Sequence, residues 1–157
     1  MLSIVEASIL MTVKYLTKNL FQTQRVGRDF AKKITGQIRK KAVVLALEGN
    51  LGGGKTTFLQ GFAKGLGIKE KILSPTFVIL KKFKIKDLRF KIFYHIDCYR
   101  IQKPKEILDL GFNEILSDSK NIVAVEWAGR IKKILPKTAV WINLKFINRN
   151  TREIVLK

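Results

Sequence analysis

Two apolar runs, at positions 42–47 and 121–127, stand out in the hydrophobic pattern of this chain. Runs with so little polar interruption are typical of strands that are buried on both faces of a sheet. Directly after the first run, apolar residues recur at three- and four-residue spacing across 58–66, which predicts a helix. Gly65 and Gly67 supply its expected end.

A second helix is predicted from Thr23 onward, with Thr23 as its N-cap. Its apolar face is expected to contain Val26, Phe30, Ile34 and Ile38. Shorter helical segments are predicted at 104–111, 113–117 and around 131–134, and further strands at 12–20, 76–84, 88–96, 138–147 and 152–156. Strands mixed with helices predict an α/β layer fold. The antiparallel hairpin expected from 76–84 and 88–96 makes its central sheet mixed.

The segment that joins the first buried strand to its helix reads Gly-Asn-Leu-Gly-Gly-Gly-Lys-Thr, at 49–56. It fits the phosphate-loop pattern of glycine, four residues, glycine, lysine and serine or threonine. Glycines permit the dihedrals of such a loop and let its N–H groups approach phosphate oxygens at a helix N-terminus. Lys55 is placed to reach the β- and γ-phosphates, and the Thr56 hydroxyl to ligate Mg²⁺. The strand before the loop and the helix after it favour this interpretation over an ordinary glycine-rich turn.

Two carboxylates are candidates for the acidic group that usually works with a phosphate loop and Mg²⁺. Glu126 ends the second buried strand, and open α/β sheets bind ligands at the carboxyl ends of their strands. Asp97 follows another apolar run, in the segment HIDCYR, and is expected either to orient water or metal or to pair with Arg100. The sequence leaves open which carboxylate is closer to the metal.

Three residues near these segments have both a structural and a functional interpretation. His95 is the single histidine of the chain, and a lone histidine is more often structural than catalytic. Trp127 is expected in the core rather than against a nucleotide. Thr76 follows Pro75 in a loop that can sense a γ-phosphate, as switch threonines do.

The chain is strongly basic, because 31 Lys and Arg against 12 Asp and Glu give a formal net charge of +19. This charge attracts polyanions, nucleic acid first, but dispersed lysines also serve as ordinary solubilising surface, and both interpretations stay open. The single cysteine, Cys98, excludes an internal disulfide and a cysteine-based zinc site, and it fits a cytoplasmic location. No apolar run approaches the length of a membrane span.

The first eleven residues carry Glu6 and lack a basic leading region, so they are not interpreted as a secretory signal. Met11 is a second candidate for the initiating methionine. We therefore expect one domain at 12–157, preceded by an extension at 1–11.

Four motifs in this order, GNLGGGKTT, SPTF, HIDCYR and EW, resemble the TsaE (YjeE) family of small bacterial ATPases. The resemblance covers about residues 12–157. It implies a three-layer P-loop NTPase fold that binds ATP with Mg²⁺ and hydrolyses it slowly. It also implies two partner proteins, of the TsaD and TsaB type, which threonylcarbamoylate adenosine 37 of tRNAs reading ANN codons, with tRNA at least an indirect partner.

The resemblance also implies roles for individual residues. Asp97, together with the segment Ser74-Pro75-Thr76-Phe77, resembles the catalytic elements on the switch side of the site. Thr23, matching a threonine just before the first helix, and Arg152 resemble contacts near the adenine. The phosphates would be cradled by Gly52, Gly53, Gly54, Lys55, Thr56 and Thr57, and Mg²⁺ would be held by Thr56 and Glu126.

Two positions depart from the family pattern. Asn50 stands where the family usually has Asp, which removes a charge beside the phosphates but leaves the backbone of the loop intact. Gly129 stands where an acidic residue is usual, so a partner contact made by an acidic side chain there is not implied for this chain.

Two other functions fit the sequence. A small P-loop kinase typically has an arginine-bearing lid, whereas Arg149 and Arg152 fall in a predicted turn and strand. A nucleotide-gated module that binds tRNA, and uses ATP only to order its fold, also fits a chain of this charge.

Overall fold

The computed structural model describes residues 12–50, 52–74, 78–87 and 89–157. The strands are β1 Val13–Thr17, β2 Val43–Glu48, β3 Leu80–Lys84, β4 Ile92–Asp97, β5 Asn121–Glu126, β6 Val140–Phe146 and β7 Arg152–Leu156. The helices are α1 Leu20–Thr35, α2 Lys55–Gly65, α3 Lys105–Leu108 and α4 Phe112–Ser117, with a 3₁₀ segment at Ala128–Ile134. The predicted extension at 1–11 lies outside the described residues.

The strands form one sheet in the order β1-β7-β6-β2-β5-β4-β3. The central strands β6, β2, β5 and β4 are parallel to one another. β3 is antiparallel to β4, and β7 is antiparallel to both β6 and β1. The mixed sheet and its antiparallel hairpin are therefore confirmed, although the hairpin strands are shorter than predicted.

Helices cover both faces of this sheet. The residues of β2 alternate between the two cores: Leu45 and Leu47 pack in the core under α1 and α2, whereas Val44 and Ala46 pack in the core under α3, α4 and the 3₁₀ segment. Burial on both faces explains why this strand is a continuous apolar run. The result is the expected three-layer α/β/α architecture.

The start of α1 corrects one sequence prediction. Asn19 is the N-cap, and its side chain accepts a hydrogen bond from the Gln22 N–H at 2.9 Å. Thr23 is therefore neither the cap nor a residue before the helix: it lies inside the first turns and is buried, with its Oγ1 2.7 Å from Oγ1 of Thr17. The prediction was wrong because both residue types cap well and only Asn19 has the extended backbone of a cap.

The end of α1 corrects another prediction. Gly36 caps the helix, so Ile38 lies beyond it and is fully exposed, at 102% of its reference accessible surface. The other predicted face residues behave as expected, because Ile34 is buried and Val26 and Phe30 pack against the core.

None of the described helices combines the length and the apolar character that crossing a lipid bilayer requires.

Cys98 gives a first testable prediction. Its side chain is fully buried, and burial raises the pKa of the thiol to about 12. Because the thiolate is the reacting species, we expect no reaction with a disulfide reagent in mildly alkaline buffer until the chain unfolds. The measurement is thiol titration with and without guanidinium, and the unfolded sample is the control. Rapid labelling of the native protein would contradict the packing described here.

Candidate functional site

A cavity of about 460 Å³ lies where β4 and β5 end and where the loop after β2 enters α2. This edge, at the carboxyl ends of parallel strands, is where open α/β sheets bind ligands. The cavity is lined by Leu20, Thr23, Gly52, Gly53, Gly54, Lys55, Thr56, Thr57, Ser74, Asp97, Tyr99, Glu126, Trp127 and Arg152. The structure therefore brings together every site residue predicted from the sequence except Thr76, which lies outside the described residues.

The glycine-rich loop has a backbone that other residues disfavour. Gly52 and Gly54 have φ angles of +79° and +98°, in the left-handed region. A Cβ atom at Gly53 would lie 2.9 Å from the Leu144 carbonyl oxygen. Helix α2 then begins at Lys55 without a side-chain cap. The amides of its first turn therefore have no partner in the helix and line a cavity, an arrangement that suits an anion.

Lys55 is buried within this loop. Its Nζ donates hydrogen bonds to the carbonyl oxygens of Gly49 and, at 3.2 Å, of Asn50, and it lies 4.5 Å from the centre of the Trp127 ring. Burial lowers the pKa of Lys55, and the charges of Glu126 and Asp97 partly oppose that shift. The ammonium group is thus held by backbone oxygens and experiences the field of both carboxylates.

Asp97 and Glu126 are register partners at the ends of the adjacent parallel strands β4 and β5, and both are buried. The two oxygens of Asp97 accept hydrogen bonds from Ser74 Oγ, at 3.1 Å, and from the Tyr99 N–H, at 2.9 Å. Asp97 is therefore hydrogen-bonded to Ser74, the first residue of the segment 74–77. Thr76, which was predicted to sense the γ-phosphate, belongs to the same segment.

Glu126 has a partner that sequence reasoning did not assign to it. Its Oε2 lies 2.7 Å from Nε2 of His95, and both side chains are buried. His95 was expected to be structural, whereas it contacts the carboxylate that the sequence proposes as a metal ligand. The two residues are 31 positions apart, so only the pairing of β4 with β5 reveals the contact.

Arg152 connects the closing strand β7 to the loop. Its Nε donates to the Gly52 carbonyl oxygen at 2.9 Å and its Nη1 to that of Asn148 at 2.8 Å, while its guanidinium lies 4.6 Å from the centre of the Phe146 ring. Arg149 lies in the turn before this strand. Both arginines therefore lie in the turn and the strand in which they were predicted.

Sequence reasoning missed two residues of the cavity wall, Leu20 and Tyr99, and assigned a third, Trp127, to the core alone. Trp127 packs against the core as predicted but also lines the cavity, with its ring 5.1 Å from that of Tyr99. Its φ of +55° is uncommon for a bulky residue. Tyr99 and Trp127 could have been found from their places just after Asp97 and Glu126. Leu20 gave no such signal, because an apolar residue at a helix start looks ordinary.

The two residues that depart from the family pattern both make contacts through their backbone. The Asn50 carbonyl oxygen accepts from Lys55 and, at 3.0 Å, from the Gly53 N–H, and any residue supplies that oxygen. The Gly129 N–H donates to Oε1 of Glu48, the last residue of β2. This contact joins the 3₁₀ segment after Trp127 to the strand that leads into the loop.

The donor set fits a magnesium ion that binds together with a nucleotide. Across the part of the chain that the structure describes, no cluster of three His, Cys, Asp or Glu side chains could hold a metal ion. Mg²⁺ is usually bound by one or two carboxylates, with phosphate oxygens and water completing its shell. Thr56 and Glu126 line the same cavity and are the residues that would contribute.

The parallel central strands, the glycine-rich loop between β2 and α2, and the cavity at the strand ends define a P-loop NTPase-like α/β protein. Residues 17–154 match the family model described as "Threonylcarbamoyl adenosine biosynthesis protein TsaE". The chain belongs to this family.

Relatives and a solved structure agree with this assignment. The tRNA threonylcarbamoyladenosine biosynthesis protein TsaE of Bacillus subtilis is 39% identical over 142 residues, which span 90% of this chain and 83% of the relative. The protein of the same name from Haemophilus influenzae is 30% identical over 126 residues, spanning 80% of this chain and 77% of the relative. The crystal structure of Bacillus subtilis YdiB matches with a TM-score of 0.73 and 32% identity, covering 93% of this chain and 84% of that one.

Proposed function

We propose that this chain is a Mg²⁺-dependent ATP-binding protein with slow ATPase activity, which acts with partner proteins in threonylcarbamoylation of adenosine 37 in tRNAs reading ANN codons. The observation that carries the proposal is that the phosphate loop, Asp97 and Glu126 line the same cavity. Membership of the TsaE family supports the role in tRNA modification.

The triphosphate would bind along the loop and the start of α2. The uncapped amides of the first helical turn supply donors for phosphate oxygens, and glycines at 52–54 keep side chains out of their way. Lys55 would turn its ammonium group from the loop carbonyls to the β- and γ-phosphates. Thr23 and Arg152 lie beside Gly54 on the cavity wall and would contact the nucleoside end.

Hydrolysis would depend on charge neutralisation and on an oriented water molecule. Mg²⁺, held by Thr56 and Glu126 when bound, would neutralise charge on the phosphates. Lys55 and the loop amides would stabilise the charge on the transferring γ-phosphoryl group. Asp97 would orient the attacking water, with Thr76 as a second candidate beside the γ-phosphate. Slow turnover is expected from the resemblance to the TsaE family. The two Asp97 oxygens each accept one hydrogen bond, from Ser74 and from Tyr99, and each keeps a second acceptor site for water.

The test is ATP turnover by the chain alone, with tRNA, and with TsaD- and TsaB-type partner proteins. We expect a low basal rate that rises severalfold only when both partners are present. An Asp97→Asn variant in the complete mixture is the control for contaminating ATPases and should lose the stimulated rate while still joining the partners on a sizing column.

The other outcomes identify the alternatives. Stimulation by a small hydroxylated metabolite, with transfer of phosphate to it, would replace the proposal by a kinase. Salt-sensitive tRNA binding by the chain alone, without any partner-dependent turnover, would favour the nucleotide-gated tRNA-binding module instead. The net charge of +19 is the observation that keeps this module as the second candidate.

A further inference from the structure

His95 is a buried side chain that contacts the cavity-lining Glu126, and the proposed function gives it no task. We propose that His95 is a positioning residue, which holds the Glu126 carboxylate in place through a hydrogen bond from its Nε2–H. The contact that carries the proposal is the 2.7 Å distance between His95 Nε2 and Glu126 Oε2, inside a region where both side chains are buried.

The sheet fixes the geometry of this contact. In the pairing of β4 with β5, His95 lies opposite Ala124, and Asp97 lies opposite Glu126. Residues two apart on a strand share a face, so His95 and Glu126 are diagonal neighbours on one side of the sheet. Ala124 is small and does not fill the space between them. The His95 ring also stacks on Phe93, with ring planes 12° apart, which restricts its rotation.

The surroundings of the other ring nitrogen favour one tautomer. His95 Nδ1 is buried and has no hydrogen-bond partner among the described residues. A proton on Nδ1 would therefore be a buried donor without an acceptor, which costs more than an unprotonated ring nitrogen there. The favoured state has its proton on Nε2 and donates it to the Glu126 carboxylate.

The contact with His95 leaves one oxygen of the Glu126 carboxylate available to a ligand. Because His95 engages Oε2, Oε1 of Glu126 is the oxygen without a hydrogen-bond partner among the described residues. Partners that orient a ligating group commonly change metal affinity by about 10- to 100-fold when they are removed. This step rests on the proposed function, since it assumes that Glu126 serves a nucleotide-bound Mg²⁺.

The first test needs neither nucleotide nor metal. His95 is the single histidine of the chain, so protein made without a histidine tag gives one imidazole pair in a ¹⁵N NMR spectrum. We expect a protonated Nε2 and an unprotonated Nδ1 in the native protein. A ring without a proton on Nε2 would overturn the proposal, because it could not donate to the Glu126 carboxylate.

The second test separates positioning from a merely structural role. His95→Phe keeps a ring on Phe93 but removes the donor, whereas His95→Gln keeps an N–H donor of similar reach. We expect His95→Phe to weaken Mg²⁺ binding to the complex with a non-hydrolysable ATP analogue by about tenfold, with His95→Gln largely restoring it. Nucleotide binding in EDTA should change less than about twofold in both variants, since the loop contacts stay intact.

Two results would overturn the proposal in this second test. One is unchanged Mg²⁺ affinity in His95→Phe, and the other is an equal loss of nucleotide affinity with and without Mg²⁺ in both variants. If His95→Phe does not fold, the NMR result on the unaltered chain decides. Absence of nucleotide binding by the unaltered chain would instead refute the proposed function, while the tautomer measurement would still test the contact.

Discussion

Replacing Lys55 by alanine should lower the affinity for ATP by about 10- to 100-fold, because hydrogen bonds to a charged group contribute about 1.5–3 kcal/mol and about 1.4 kcal/mol corresponds to tenfold. The ammonium group is already placed at the cavity, between the loop carbonyls and the Trp127 ring. The substitution removes this ammonium group, which is the positive charge that the phosphate loop would offer to the nucleotide phosphates.

The same substitution should change stability little. Burial lowers the pKa of Lys55, so the protonated form is less favourable in the folded chain than in the unfolded chain at neutral pH. Removing that charge therefore offsets part of what is lost with the hydrogen bonds to Gly49 and Asn50. We expect the variant to fold and to fail specifically in binding.

Calorimetric titration with a non-hydrolysable ATP analogue and Mg²⁺ measures this effect. Lys64→Ala is the matched control, because Lys64 lies on the same helix but is exposed to solvent, and it should bind like the unaltered chain. Full affinity in the Lys55→Ala variant would contradict the assignment of 49–56 as a phosphate loop.

The parts of the site that could be predicted from the sequence are those that depend on a short motif or on the end of a single strand. The loop at 49–56 needs glycine at fixed positions, and the positive φ angles of Gly52 and Gly54 show why. Asp97 and Glu126 follow apolar strands, and the topology of α/β sheets places such strand ends together.

The parts that sequence could not predict depend on contacts between distant segments. The His95–Glu126 contact requires β4 and β5 to be neighbours, which no local pattern states. Thr23 was misplaced because Asn19 competed for the cap, and the Thr17 hydroxyl on β1 binds the side chain of Thr23 instead. In both cases the outcome depends on contacts between segments that are far apart in sequence, and the local sequence pattern does not specify those contacts.

Among substitutions that add one methyl group to α2, Gly61→Ala should lower the stability of the fold the most. Helices α1 and α2 approach so closely that a Cβ at Gly61 would overlap the carbonyl oxygen of Gln24 and lie 2.6 Å from the Cα of the same residue. Both atoms belong to helix backbone, so no side chain can rotate away. Gly27, on the opposite helix, faces Phe58 and Phe62 in the same way.

The clash at Gly61 must be relieved by moving one helix, and overpacking of this kind costs about 1–3 kcal/mol or more. Urea unfolding followed by circular dichroism should therefore show a clearly lower midpoint at an unchanged slope. The matched control is Gly36→Ala, where the nearest atoms to an added Cβ lie at 3.6 Å and 3.8 Å. That change should leave stability unaltered or raise it by about 0.4–1 kcal/mol.

The position of Gly61 also couples this stability effect to the site. Helix α2 begins with Lys55, Thr56 and Thr57 at the cavity wall, so displacing the helix moves the amides and the hydroxyl proposed to serve the phosphates. Gly61→Ala protein that remains folded should therefore bind the ATP analogue more weakly than the Gly36→Ala control. Equal unfolding midpoints for the two variants would mean that the helices do not cross at Gly61, and equal affinities would mean that the loop does not depend on that crossing.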